Sequence, residues 1–211
     1  MLSLRQLLAA HAPLLLIDAA STRVQVGLLT AGGDARWAVS DEEAGVGVFR
    51  SVEALGVELG AVRAFVFCDG PGSVLGIRTV AMAVRTWCGF APRPVFAFCS
   101  LACVACALAR HELSVIADAR RNSWHHFALG GVLRRVPNAE LTGELVMPES
   151  FRHWSPLPAG VKLVPYSLAD LLPRVMDAGL FHETHAPDAF LHEEPDYKAW
   201  VPHIHRAPAT Q

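Results

Sequence analysis

The chain has 211 residues, 52% hydrophobic and 18% charged, which is enough apolar material for a core and argues against a disordered chain. Its formal net charge of −2 argues against a protein that grips many phosphates by bulk charge, so nucleic acid has to be met through a partner or a local patch. The cysteines Cys68, Cys88, Cys99, Cys103 and Cys106 are an odd set in apolar surroundings, which fits a reducing, cytoplasmic setting better than a disulfide framework, and no apolar run approaches the ~20 residues that cross a membrane.

Residues 1–12 carry Arg5, several leucines and an Ala10-His11-Ala12 triplet. This faintly mimics a signal peptide, but the apolar centre is only a few residues long. A short helical or frayed extension is expected. PLLLIDAASTRVQVGLLTAGGDARWAVS then reads as three strands. Leu14 to Ile17 form a buried one, and a polar turn follows. Val24, Val26 and Leu28 alternate with Gln25 and Gly27. Gly32-Gly33 turn the chain into a strand marked by Trp37 and Val39. Asp41 to Leu59 is a helix candidate because Val48, Val52, Leu55 and Leu59 fall at spacings of three and four. Gly45, Gly47 and Gly56 weaken it by propensity, so it needs tertiary contacts.

Phe65 to Cys68 is a buried strand running into the loop Asp69-Gly70-Pro71-Gly72-Ser73, with Gly76 and Arg78 just beyond. Ile77, Val80, Val84 and Trp87 mark the face of the next helix. Arg78 and Arg85 share one side of it, and Pro92 and Pro94 end it. Glycines ahead of a helix N-terminus can cradle an anion. This loop fails the specific tests, however. It has neither GxxxxGK[ST] nor GxGxxG spacing, and the next strand ends Phe98-Cys99 rather than in an acid. A tight turn that packs a helix onto a sheet is the competing explanation.

Val95 to Phe98 is the next strand, with Ser100 expected to cap the helix LACVACALAR. LSVIADARRNSWHHFALGG follows as a second strand pair. Its Ala117-Asp118-Ala119 matches Ile17-Asp18-Ala19, each a strand ending in Asp before a polar turn, which suggests two related halves. Beyond Arg134 the prolines imply loops and edge strands. Ser167 to Ala178 is expected to be a helix capped by Ser167.

Other patterns lead nowhere specific. Cys99, Cys103 and Cys106 have CxxxCxxC spacing, but a helix after a strand splays Cys99 away from a cluster. His182-Glu183-Thr184-His185 is not HExxH. His125-His126 and His203-Ile204-His205 read as surface or edge histidines. Ser73 lacks the glycine that a nucleophile elbow requires. Arg120-Arg121 and Arg134-Arg135 are the clustered basic pairs, and a solvated strand edge explains them as well as a ligand does.

Taken together, LLLIDAAST, CDGPGSVLGIR, PVFAFCSL and VIADARRNSW resemble, in order, the four landmarks of the TsaB (YeaZ) family. PDAFLHEEPDYKAW, with Phe190-Leu191, resembles its C-terminal segment. The resemblance implies an α/β, two-lobed actin-like fold (the sugar-kinase and ribonuclease H class) with mixed sheets flanked by helices. An N-terminal lobe over 13–110 would carry the partner-binding helices, and a smaller second lobe over 111–211 would end in a helix and tail. It implies a non-catalytic adaptor in bacterial synthesis of threonylcarbamoyladenosine on tRNA. Such an adaptor pairs with a catalytic TsaD-like subunit, is joined by a TsaE-like ATPase, and pairs with itself when alone. No metal or cofactor of its own is implied; ATP and tRNA enter through the complex. The glycine loop becomes a retained structural turn, Asp18 and Asp118 vestigial strand-end acids, and Val48, Val52, Val80, Val84 and Trp87 the partner-binding residues.

The chain departs from the family at Ala19, Ala20 and Thr22, where hydroxyls and a carboxylate are usual, at Val74-Leu75, and at Ser123. The first set removes oxygen ligands from the first turn. A decayed paralogue that only homodimerises, and an actin-fold nucleotide hydrolase using Asp18, are the alternatives.

Overall fold

The computed structural model describes residues 1–32 and 34–190. Gly33, Leu191 and the expected tail motifs beyond it, including His203-Ile204-His205, lie outside the described residues. Helix α1 (Leu4–His11) opens the chain. Strands β1 (Leu14–Asp18), β2 (Val24–Leu29) and β3 (Ala35–Ser40) follow, then α2 (Ala44–Ala54), β4 (Ala64–Gly70), α3 (Val74–Phe90), β5 (Val95–Cys99) and α4 (Ser100–Leu108). The remainder holds β6 (Leu113–Asp118), β7 (Ser123–Ala128), β8 (Arg134–Pro137), β9 (Glu144–Pro148), β10 (Lys162–Val164), the short α5 (Leu168–Leu171) and β11 (Phe181–Glu183).

The strands form two mixed sheets, ordered β11-β5-β4-β1-β2-β3 and β10-β9-β6-β7-β8. Without β11 the two orders are one order repeated. β1 pairs antiparallel with β2 and parallel with β4, and β6 pairs antiparallel with β7 and parallel with β9. The duplication suggested by Asp18 and Asp118 is therefore visible in the strand topology. The repetition stops at β11, which crosses back to pair antiparallel with β5 and also bridges Leu2. Residues past 110 thus do not all stay with the second sheet.

Burial explains which elements formed. β1 is buried along its whole length and β4 nearly so, as expected of strands covered on both faces. Helices α2 and α3 pack together on the first sheet, and α4 contacts β4 and β5 of that sheet and β6 and β7 of the other. A second small core forms around Ile116, Trp124, Leu145 and Met147. Ser3 and Gln6 close a capping box on α1, whose Leu4, Leu7 and Leu8 are buried. The opening segment is thus a packed amphipathic helix.

Three expected boundaries change. The helix expected over Asp41 to Leu59 covers only Ala44–Ala54. Gly56 takes φ +57° just past its end, Gly56 N donates to Glu53 O, and Val57 N donates to Val52 O. This is a Schellman stop, which glycine fills without a Cβ penalty. Ser100 does not cap α4. It lies inside the helix and its hydroxyl donates to Pro71 O at 2.6 Å. The helix expected over Ser167 to Ala178 is one α turn followed by a 3-10 turn at Leu172–Val175. Pro173 cannot supply an α-helical N–H there, and Ser167 makes no side-chain cap.

Candidate functional site: the glycine loop and the paired-helix face

The glycine loop joins β4 to α3 against the turn that leaves β1. A Cβ on Gly76 would stand 2.2 Å from Ala19 O, and one on Gly72 would stand 2.4 Å from Ala20 O. Gly72 also takes φ +155° and Gly70 φ +132°. The space that glycines could have left to a ligand is filled by the β1–β2 turn. Two of the loop's backbone donors are used as well. Ser73 N donates to Ala20 O at 2.7 Å, and the Ser73 hydroxyl accepts from Gly76 N at 3.3 Å. Pro71 O accepts from Ser100. The loop fastens a helix to a sheet.

Asp18 and Asp118 occupy equivalent strand ends and make the same local bond. Each Oδ1 accepts the N–H two residues on, from Ala20 and from Arg120, an Asx turn. Their second oxygens differ. Asp18 is fully buried, and its Oδ2 accepts from the Tyr166 hydroxyl at 2.7 Å. Burial pushes its pKa up to about 6 against the opposing pull of Tyr166 and Ala20. Asp118 Oδ2 accepts from the backbone N–H groups of Trp154 and Ser155. Partial burial works against its charge, but these donors together outweigh it and hold its pKa below the usual value. Asp18 is spent on backbone, Tyr166 and Cys68, and Asp118 on backbone and the Ser155 hydroxyl.

Asp69 is largely buried, which pushes its pKa up to about 7. His182 Nε2 lies 3.4 Å away, and burial, then the chain's amino terminus, push the imidazole pKa down. Both shifts disfavour charge, so burial weakens the attraction across this contact. Phe190 N donates to Asp69 O at 2.7 Å. Asp188 lies 3.5 Å from Arg78 and 3.9 Å from Arg85, as their shared side of α3 allows. Among the described residues no group of three His, Cys, Asp or Glu side chains converges to hold a metal ion. The cysteines are free. Burial pushes the thiols of Cys68, Cys99 and Cys103 up, Cys99 to about 11, so they sit as unreactive thiols.

The residues expected to bind a partner need correction. Val48 and Val84 are 0% exposed, Val80 is 1% and Val52 is 8%. They pack inward and hold α2 and α3 on their own sheet. The outward surface of the pair carries other residues: Val46 and Phe49 on α2, and Leu75 and Met82 on α3, at 44%, 49%, 72% and 56% exposed. A groove of about 440 Å³ runs between the helices, lined by Phe49, Leu75, Met82 and Trp87 among others. Trp87 is half-buried and joins the two layers, stacking on Phe65 in the core at 5.5 Å and meeting Phe49 edge-on at 6.2 Å. The missed signal was in the sequence. Leu75 and Met82 stand seven apart, off the Val80–Val84 stripe, so α3 is apolar on two faces.

No protein-family model matches the sequence, and no curated protein sequence matches it. Solved structures do match. YeaZ from Pseudomonas aeruginosa is 22% identical over 77% of this chain and 89% of that one, at a TM-score of 0.56. A structure described as an uncharacterized protein with similarity to peptidase YEAZ from Pseudomonas aeruginosa is 21% identical over 76% and 88%, at a TM-score of 0.57. With its duplicated sheet order and its helices on the sheet faces, this chain has the fold of YeaZ, the mixed α/β fold of the actin-like class.

Proposed function

We propose that the chain is a non-catalytic adaptor of the TsaB type, pairing with a TsaD-like subunit through the outward face of α2 and α3. The observation that carries the proposal is the set Val46, Phe49, Leu75 and Met82. These are large apolar side chains on two adjacent helices that this chain leaves uncovered, and such patches mark interaction surfaces. Trp87 beneath them supplies a rigid aromatic anchor of the kind that concentrates binding energy. The same face serves a homodimer when the partner is absent. The adaptor does no chemistry of its own and holds no nucleotide. Supporting this, its glycine loop is filled by Ala19 and Ala20, and Asp18 is capped by Tyr166. In this reading a TsaE-like ATPase joins the assembly in the cytoplasm, and ATP enters only there.

Co-expression with the TsaD-like protein of the same genome, followed by size-exclusion chromatography, tests this. A stable heterodimer is expected, lost on Leu75→Glu or Met82→Glu with unchanged thermal stability of the isolated chain. Failure of the wild-type chain to associate would overturn the adaptor reading, as would association indifferent to both substitutions.

A further inference from the structure

The turn between β6 and β7 has an unusual backbone. Arg120, Arg121 and Asn122 all take left-handed φ values, +62°, +51° and +56°, and Ser150 in a neighbouring loop takes +65°. Such a conformation is unfavourable for a non-glycine residue and persists only where the surroundings enforce it. Glycine would build this turn with less strain, yet the chain places two arginines there. Asp118 supplies the enforcement. Its carboxylate takes the N–H of Arg120 on one oxygen and those of Trp154 and Ser155 on the other. The turn and the 150–155 loop are thereby held side by side.

What this arrangement displays is specific. The Arg120 guanidinium lies 4.1 Å from the centre of the Trp154 indole, which remains 60% exposed. Arg121 follows Arg120 in the turn, Arg152 stands two residues before Trp154 in its loop, and both are exposed. Among the described residues none of these three arginines has an ion-pair partner. Arg135 behaves differently, because it spends its guanidinium on Ser123 Oγ and Ala119 O and so braces the turn from behind. Arg152 lines a cavity together with Asp41, Glu42 and Glu43, of which Asp41 and Glu42 are already paired with Arg23 and Arg50. Exposed Glu149 is the other acid of the 150–155 side.

We propose that this end of the second sheet, formed by Arg120, Arg121, Arg152 and Trp154, contacts RNA directly. Unpaired guanidiniums meet phosphates, and an exposed indole braced by a cation offers a stacking platform for an unpaired base. A local patch of this kind is what a chain of net charge −2 requires. The proposal deepens the adaptor reading by giving this chain its own RNA contact, and it uses residues other than those of the helix face, so the two fail separately.

The test is fluorescence anisotropy of a labelled RNA hairpin with an unpaired loop, titrated with the isolated full chain at several salt concentrations. Binding that weakens with salt is expected. Arg121→Ser combined with Arg152→Ser should weaken it at least tenfold and lower the salt slope by about two. Trp154→Ala should weaken it about tenfold with the slope unchanged, and Trp154→Phe should restore most of the loss. Met82→Glu should leave it unaltered. Absence of RNA binding, or binding indifferent to the arginine and tryptophan variants while their melting curves match wild type, overturns the proposal. So does binding of an oligoglutamate peptide, but not of the RNA, through Arg121 and Arg152, which would assign the surface to an acidic protein.

Discussion

The Tyr166 hydroxyl donates to Asp18 Oδ2 at 2.7 Å across 148 positions of sequence, in a site from which water is excluded. The bond ties the end of β1 to the segment that follows β10. It also gives a fully buried carboxylate a donor beside the Ala20 N–H and the Cys68 thiol.

A pH dependence follows from that carboxylate. Burial raises the folded pKa of Asp18 from 3.8 to about 6, so the folded state holds the proton more tightly than the unfolded chain. The associated stability is fully present below the unfolded pKa and is lost as pH rises through the folded one. Asp69, raised to about 7, acts in the same direction. Asp18→Asn removes the Asp18 part alone. In urea titrations at pH 5 and pH 8, the variant should gain about 1–2 kcal/mol on wild type between the two conditions. A difference that stays flat with pH would refute the assignment.

Tyr166→Phe should act in the opposite sense. Without the hydroxyl, the charged form of Asp18 loses a donor, its pKa rises further, and the decline with pH moves upward. The cost should be about 1–3 kcal/mol at pH 8 and smaller at pH 5. Equal losses at both pH values would mean that packing of the ring, which meets Phe151 edge-on at 4.9 Å, carries the effect.

Two glycine-to-alanine substitutions in α3 should have opposite signs. At Gly76 the new methyl meets Ala19 O at 2.2 Å, whereas at Gly89 nothing stands within 4 Å. Gly76→Ala must push α3 off β1 and should cost about 2 kcal/mol or more. Gly89→Ala should gain about 0.5–1 kcal/mol from helix propensity. Thermal melts of the two variants decide it. A tolerated Gly76→Ala would mean that the loop is free to open, reviving a ligand-binding loop.

Val84 and Met82 separate core from surface on one helix. Val84→Arg puts an unpaired charge at a position with no exposure and should lower stability by more than about 3 kcal/mol. Met82→Glu, 56% exposed in the isolated chain, should stay within about 0.5 kcal/mol of wild type. Circular dichroism melts of the pair show whether the inward and outward faces are assigned correctly.

Much of the frame was legible in the residues. The strands of the first meander, β4, β5 and the β6–β7 pair were each signalled by short apolar runs between turn residues, because sheet burial leaves a period of two or an unbroken run. Helix ends were less legible. Gly56 lowers propensity within a helix and favours a left-handed stop just past one, and spacing alone does not tell which applies. Val80 and Val84, expected to meet a partner, lie in the core because they form a clean stripe, and a clean stripe marks the core. Leu75 and Met82 were legible only as apolar residues that the core did not need. Tyr166 and Trp154 carried no sequence signal, since their contacts with Asp18 and Arg120 join segments far apart in the chain.

The pairing of Leu2 with Phe181 bears on how the molecule is made. Phe98 meets Phe181 at a tilt, 5.7 Å between ring centres, so the far edge of the first sheet closes only after residue 181 has left the ribosome. Until then the nascent protein carries an open strand edge beside an aromatic surface, a template for mispairing with its neighbours. The amino-terminal helix, already capped and amphipathic, is the element at hand to wait beside that edge until residue 181 arrives.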